Sequence, residues 1–517
     1  LGIVDSDKVD LSNIHRQSLY DMSDLKKAKV YAAKKKLNKI NSKTKVNYYR
    51  IRLDERNFKK ILKKYDFVID GSDNFKTKSV SSSLVRFALN FEPEFTSDEL
   101  KQVAQLSLFD WFVVSIAGQS EPVSHIVRNQ IKSEGGNEDC SVIGTTQRFP
   151  ARAAALANGT ISHALDYDDT HFAYLGHPSV AIMPAALALG EKTNVKPEKF
   201  WNAVILGLET VTRIGAWLGR DHHLAGYHST ATAGAFGATI AASKLLSLDE
   251  KSTNYALGLV SSMASGVRAQ FGTMAKPLHA GMAAANGVEA ALFAQAGLIS
   301  NPDALEAEHG FADTHTTQNR DTTKALNGLG EYWMLKEVLH KYHACCHGLH
   351  PALEALLQVR EKNNLIATNI KNVSIAVPPR YLKICHILSP NTGLEAKFSF
   401  RLSAAMVLNG QDTAALSTFS SNACKNPDLI ALRNRVSVTP DTNLGETEAF
   451  VQVQTTDGEI LSAKYDINRS LPYKFRKEKI MNKAFALLGE SSALKLWNLV
   501  AKGDPMEFYK VNKIGLT

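Results

Sequence analysis

A chain of 517 residues is long for a single core and predicts two to four domains. Its 44% apolar and 21% charged residues are ordinary for a globular protein, and no apolar run reaches the ~18 residues of a membrane span. Five cysteines (Cys140, Cys345, Cys346, Cys385, Cys424) without CxxC spacing argue against a disulfide framework and a structural zinc site, and fit a reducing cytoplasm. The net charge of +9 is unevenly placed. Residues 1–78 carry 20 Lys and Arg against 10 Asp and Glu, and the remainder carries 40 against 41. No nucleic-acid motif accompanies the basic stretch, so KKAKVYAAKKKLNKI reads as a solvated helix face.

In residues 1–78 the strand LGIVD ends in Asp5, and a polar turn leads to the Lys-rich helix. Strand KVNYYRIRL, another helix and strand YDFVIDGSDN follow. Strand–helix alternation predicts a partial α/β, Rossmann-like fragment with ligands at the strand carboxyl ends. VDSDKVDLSNIHRQ and VIDGSDNFKTK, in that order and spacing, resemble the ThiF/MoeB-like adenylating enzymes. The resemblance implies a nucleotide site in which Asp5 holds the ribose, Arg16 and Lys29 meet the phosphates, and Asp73 lies near the magnesium end. That family's glycine-rich phosphate loop belongs immediately before Leu1, and its downstream half belongs after Lys78. Neither is in the sequence, and the opening Leu1 reads as a start partway through a longer product. A phosphate cradle needs that glycine turn, so the nucleotide site is expected to be vestigial.

From Leu84 the pattern becomes helical. TSDELKQVAQLSLFDWFVVSIAG offers a polar cap, an acidic first turn and apolar residues at i, i+3, i+4. Further helices are predicted at 150–166, 179–192, 198–218, 229–246, 250–266 and 277–297. Several are Ala- and Gly-rich, which lets backbones approach closely. HALDYDDTHFAYLGHPS crowds Asp166, Asp168, Asp169, Thr170, His171 and His177 into one turn, a place suited to moving protons. In LAGYHSTATAGAFG, His228 precedes the N-cap candidates Ser229 and Thr230. In FGTMAKPLHAGMAA, Lys276 precedes Pro277, a residue favoured at the first helical position, and His279 lies in the first turn. A lysine at a helix N-terminus makes a carboxylate site.

KYHACCHGLHPALEALL clusters histidines and cysteines, yet its spacing matches no common zinc pattern, so no metal is expected. NVSIAVP, RVSVTP and AFVQVQTT–DG–EILSAKYDI read as strands, the last pair a hairpin at Asp457–Gly458. GLEAKFSFRLSAAMVL between them reads as one helix carrying Lys397, and the tail from Lys474 returns to helix. The predicted architecture is multidomain and mainly all-α. A helical body over 79–338, completed by 471–517, carries a smaller α+β lid over 339–470 and follows the partial α/β segment 1–78.

DYDDT…GHPS, AGYHSTATAGAFGAT, FGTMAKPLHAG, KYHACCHGLH and NTGLEAKFSF, in order, make residues 80–517 resemble the MmgE/PrpD family. That family includes 2-methylcitrate dehydratase, cis-aconitate decarboxylase and iminodisuccinate epimerase. The resemblance implies a homodimer, a small polycarboxylate substrate, and no metal or organic cofactor. It makes Asp166, Thr170, His177, His228 and Lys276 the catalytic set, and His279, Lys397 and Arg268 join as substrate-binding candidates. Proton removal next to a carboxylate needs fixed positive charge for the developing enediolate, which Lys276 would supply. His177 and His228 would serve as acid or base, Asp166 would orient a histidine or take the proton, and Thr170 would position substrate. The decarboxylase branch carries a histidine where Cys346 stands, so dehydration or epimerisation is favoured over decarboxylation. GRDHHLAGYHSTATAGAFGAT and NTGLEAKFSF are nearest the epimerase branch. The competing readings are an adenylating or nucleotide-binding protein and an inactive carboxylate-binding dimer.

Overall fold

The computed structural model describes residues 1–11, 19–51, 61, 63–65, 79–91, 97–316 and 321–514. The chain divides into two compact units, Leu1–Lys76 and Thr77–Thr517. In the first, strands β1 (Gly2–Val4) and β2 (Asn47–Tyr49) pair in parallel, joined through helix α1 (Lys29–Ile40). Buried Lys29 faces two acids, with its Nζ 4.0 Å from Asp5 and 3.6 Å from Asp7. Arg16, Asp73, the expected third strand and most of the helix before it lie outside the described residues.

The second unit begins with α2 (Val80–Leu89) and α3 (Asp98–Gly118). Ser97 accepts from the Leu100 N–H, and Asp98 and Glu99 fill the first turn, the start signal read in the sequence. There follow α4 (Pro122–Glu134), α5 (Ala151–His163), α6 (Ser179–Thr193), α7 (Pro197–Leu224), α8 (Ser229–Leu245), α9 (Glu250–Val260) and α10 (Ala275–Gln295). α7 outruns its expected end because Gly219, at φ 72°, turns the chain and helix resumes beyond it. α9 stops short of 266, where the chain turns away so that the Gly266 carbonyl accepts the His228 N–H.

The crossing of α5 and α10 sets the site. A Cβ on Gly159 would lie 2.8 Å from the Gly281 Cα, and one on Gly281 would lie 2.2 Å from the Leu156 carbonyl oxygen. Only paired glycines let these backbones touch, and the contact brings the C-terminal end of α5 against the first turns of α10. The body's core carries Phe109, Trp111, Phe200 and Phe236.

A second core, with Leu353, Phe400, Met406, Val451 and Val453, underlies the α+β part. There α11 (His350–Lys362) and α12 (Phe400–Leu408) accompany a four-stranded sheet of order β4 (Val436–Pro440), β3 (Ile370–Val377), β5 (Glu448–Thr455), β6 (Ile460–Asp466). β3 pairs in parallel with β4, and the other pairings are antiparallel. The β5–β6 hairpin turns at Gly458, with φ 95°, as Asp457–Gly458 predicted. The single helix expected over 393–408 is two. One turn, Gly393–Ala396, ends at Lys397, and Ser399 recaps the chain by accepting from the Leu402 N–H at 3.3 Å. Helices α13 (Tyr473–Leu488) and α14 (Glu490–Lys502) place Ile480, Leu496 and Val500 back in the body's core. Among the described residues no helix is long and apolar enough to cross a membrane.

Candidate active site

Four helix ends converge: the C-terminus of α5 and the N-termini of α6, α8 and α10. Between α5 and α6 the loop 164–178 turns sharply at Asp166, whose φ of 51° is tolerated by an aspartate at modest strain. The Asp166 carboxylate is 44% exposed, and two ammoniums and an imidazole surround it. Lys276 Nζ lies 2.9 Å from Oδ1, Lys341 Nζ 3.3 Å and His177 Nε2 3.5 Å. Lys341 also donates to the Asp166 carbonyl at 2.5 Å. Burial alone would raise the Asp166 pKa, but Lys276, Lys341 and His177 carry it well below the usual carboxylate range. Burial works against the Lys341 ammonium, and Asp166 and Asp168 overcome it and raise its pKa.

Asp168, wholly buried, holds two imidazoles, with Oδ1 2.9 Å from His163 Nδ1 and Oδ2 2.8 Å from His177 Nδ1. Burial opposes its ionisation, and the two histidines reverse that and hold it well below its ordinary value. Asp168 thus lies against the Nδ1 side of both rings, and the His177 Nε2 faces Asp166. Burial lowers the His177 pKa to about 4 against the pull of Asp168, so the ring is neutral at pH 7. His163 edges His177 at 4.7 Å between centroids and stacks on His228 at 6.0 Å. His228 Nδ1 meets His279 Nδ1 at 3.2 Å. Phe271 ties the two sides together, edge-on to His228 at 5.0 Å and beneath Lys276 at 5.3 Å.

Two expected roles change. His228 occupies the N-cap of α8 without a side-chain capping bond, its ring being turned toward His163 and His279, and Ser229 Oγ has no partner among the described residues. Thr230 Oγ1 instead accepts the His177 N–H at 3.1 Å. Thr170 Oγ1 meets His347 Nδ1 at 2.7 Å, so within the protein it orients a histidine. Pro277 is the third residue of α10, because Thr273 Oγ1 accepts from the Ala275 N–H and starts the helix earlier.

Asp166, His177, His228, Lys276 and His279 thus form one cluster. Arg268 stands one ring away, over Phe271 at 5.8 Å, and donates to the His223 carbonyl. Lys397 stands outside the cluster, its carbonyl accepting the Cys346 N–H at 3.0 Å and burial lowering the pKa of its ammonium. Sequence reasoning missed His163, Asp168, Lys341 and His347. The first two lay in the stretch singled out, but only the fold says which acid faces which imidazole. His163, Asp166, Asp168 and His177 also present ligand atoms all within 4.8 Å of one another, as a metal site would. Yet both Asp168 oxygens serve imidazoles and two ammoniums press on Asp166, so the charge suits an anion.

The sequence matches the MmgE/PrpD N-terminal domain over residues 82–323 and the MmgE/PrpD C-terminal domain over 343–495. The chain belongs to the MmgE/PrpD family. It is 26% identical to the human cis-aconitate decarboxylase over 455 residues, 83% of this chain and 93% of that protein. It is 30% identical to a cis-aconitate decarboxylase-like protein, oryM, of Aspergillus oryzae over 300 residues, 55% of this chain and 62% of that one. A stretch of 78 residues, 15% of the chain, is 42% identical to the sulfur carrier protein adenylyltransferase of Thermus thermophilus and spans 29% of that relative.

Proposed function

We propose that residues 77–517 form a lyase or isomerase that moves a proton at the carbon next to a carboxylate of a small di- or tricarboxylate. The observation that carries this reading is the convergence of Lys276 and Lys341 on one half-exposed carboxylate beside a neutral imidazole. An entering substrate carboxylate meets the same two ammoniums at the N-terminus of α10, and shares them with Asp166. His177, oriented by Asp168, takes the proton from the adjacent carbon, and the electron pair moves into the carboxylate as an enediolate stabilised by Lys276 and Lys341. His228, screened by Phe271 and linked to His279, is placed to deliver or remove a proton from another direction. Dehydration, epimerisation and decarboxylation differ in what leaves afterwards. The decarboxylase relatives favour cis-aconitate as a candidate, and Cys346 beside Lys397 favours dehydration or epimerisation.

The test is a panel of di- and tricarboxylates, cis-aconitate and 2-methylcitrate included, incubated with the protein in deuterated water. Hydrogen exchange, product formation or carbon dioxide release, lost in Lys276→Ala and His228→Ala, is the expected result. A folded protein that binds carboxylates but exchanges none of them would leave a binding protein instead. For residues 1–76 the likeness to adenylyltransferases supports a relict nucleotide-binding fragment, and pyrophosphate release from ATP by the full chain would refute the relict reading.

A further inference from the structure

A cavity of about 380 Å³ lies behind this site, and neither Asp166, Lys276 nor His228 lines it. Between the two runs the segment Val338–Tyr342. Leu339 exchanges both backbone hydrogen bonds with Thr170, at 2.7 and 2.8 Å. The segment is therefore extended, and every residue in it but Lys341 lines the cavity. Lys341 reaches Asp166, whereas His340 and Tyr342 line the cavity. His347 lines it too, while its Nδ1 meets Thr170 Oγ1.

Of the cavity's acids, Glu99 and Glu354 face lysines, while Glu337 lies 4.0 Å from the His171 imidazole. Lys336 meets Glu99, Glu354 meets Lys479, and Arg469 lies 4.1 Å over the Tyr465 ring. Arg476, half-buried on α13, donates through Nη2 to the Val338 carbonyl at 2.8 Å and meets His340 Nδ1 at 3.3 Å. Among the described residues no carboxylate comes within 4.0 Å of it, and Asp169 and Glu99 act on it only from farther away, against the burial that lowers its pKa. A guanidinium carries five donors in a planar fork, and a desolvated one without a counter-ion is costly until an anion fills the fork. Trp333, Tyr342 and Tyr473 supply flat walls, and the volume suits a ligand of metabolite size.

We propose that this cavity is a second anion site, in which Arg476 holds a small carboxylate or phosphate behind the catalytic loop. It is distinct from the Asp166 mouth and does not depend on which reaction occurs there. Its occupant touches His340 and His347, the residues next to Lys341 and Thr170, so the two sites share one strip of backbone.

Calorimetric titration of the full chain, with inorganic phosphate and with citrate in separate runs, tests it. Saturable binding that survives Lys276→Met and weakens at least tenfold in both Arg476→Met and Ser470→Trp is expected. Ser470 lines the cavity, so the tryptophan fills the space while every Arg476 hydrogen bond stays. Its result decides should Arg476→Met fail to fold. Phosphate-only, citrate-only or shared binding with that variant pattern each supports the site and names its ligand class. Binding lost in Lys276→Met but kept in Ser470→Trp would assign every anion to the Asp166 mouth and overturn the proposal. Absence of saturable binding of either anion at millimolar concentration would do the same.

Discussion

Asp166 and Asp110 are both carboxylates that meet lysine, and they are used in opposite ways. Asp110 pairs with Lys483 at 2.6 Å, both wholly buried, and Lys483 also donates to the Tyr167 carbonyl at 2.7 Å and sits 4.0 Å over its ring. One cation serves one anion there, no solvent enters, and burial lifts the Asp110 pKa to about 6 despite the lysine. At Asp166 two ammoniums crowd one carboxylate that water still reaches, and its pKa falls well below the ordinary range. A sealed one-to-one pair fixes structure. An open excess of one sign recruits a ligand of the other. The two are mechanically joined, because Tyr167 lies between Asp166 and Asp168 and Lys483 pins its carbonyl.

Lys276→Met and Lys341→Met each strip a cation from the developing enediolate and should lower kcat/KM on the best carboxylate by a factor of roughly 10³. Thermal melting should stay close to wild type, since the Asp166 carboxylate is half in water. A similar loss of activity with a collapsed melting temperature would erase the contrast with Asp110. Lys483→Met should do the reverse. It strands a buried carboxylate and should cost about 3–5 kcal/mol of stability in denaturant unfolding. The double variant Asp110→Leu/Lys483→Met should regain most of that. Failure of the rescue would mean that the bond to Tyr167, and not charge balance, is what Lys483 supplies.

The helical body and the β5–β6 hairpin were readable in advance because their signals are local: Ser97 with its acidic turn, the Ala–Gly faces, and the Asp457–Gly458 turn. The break at Lys397–Ser399 was not, since it depends on the Ser399 hydroxyl, which donates to the Ile387 carbonyl twelve residues earlier in the chain at 2.6 Å. Asp166, His177, His228 and Lys276 were expected together from the family likeness of the motifs that hold them, and the fold brings them into one cluster. Lys341 carries no such mark. It lies in a short extended segment whose place beside the Asp166 loop becomes visible only once Leu339 is seen to pair with Thr170. Asp168 was visible as one of three acids in DYDD, but composition cannot tell a carboxylate that binds two imidazoles from Asp169, which accepts from the Ser179 N–H and hydroxyl. The third strand expected over 65–74 in the first unit falls almost wholly outside the described residues.

The smallest effect follows from the proton on Asp110. Its folded pKa, about 6, lies above the ordinary carboxylate value of 3.8, so the folded protein keeps this proton through a window where the unfolded chain has lost it. Stability from this group is therefore fully present below about pH 4 and declines as pH rises to 6, by about 2–3 kcal/mol in all. Asp110→Asn removes the titration while keeping a polar partner for Lys483. Unfolding free energies of wild type and variant, measured between pH 4 and 7, should diverge with that slope, the variant gaining relative to wild type as pH rises. A pair that is fully ionised in the fold, as a depressed Asp110 pKa would make it, gives the opposite slope. Asp110 would then resemble Asp166, and the separation of scaffold pair from ligand site would have to rest on exposure alone.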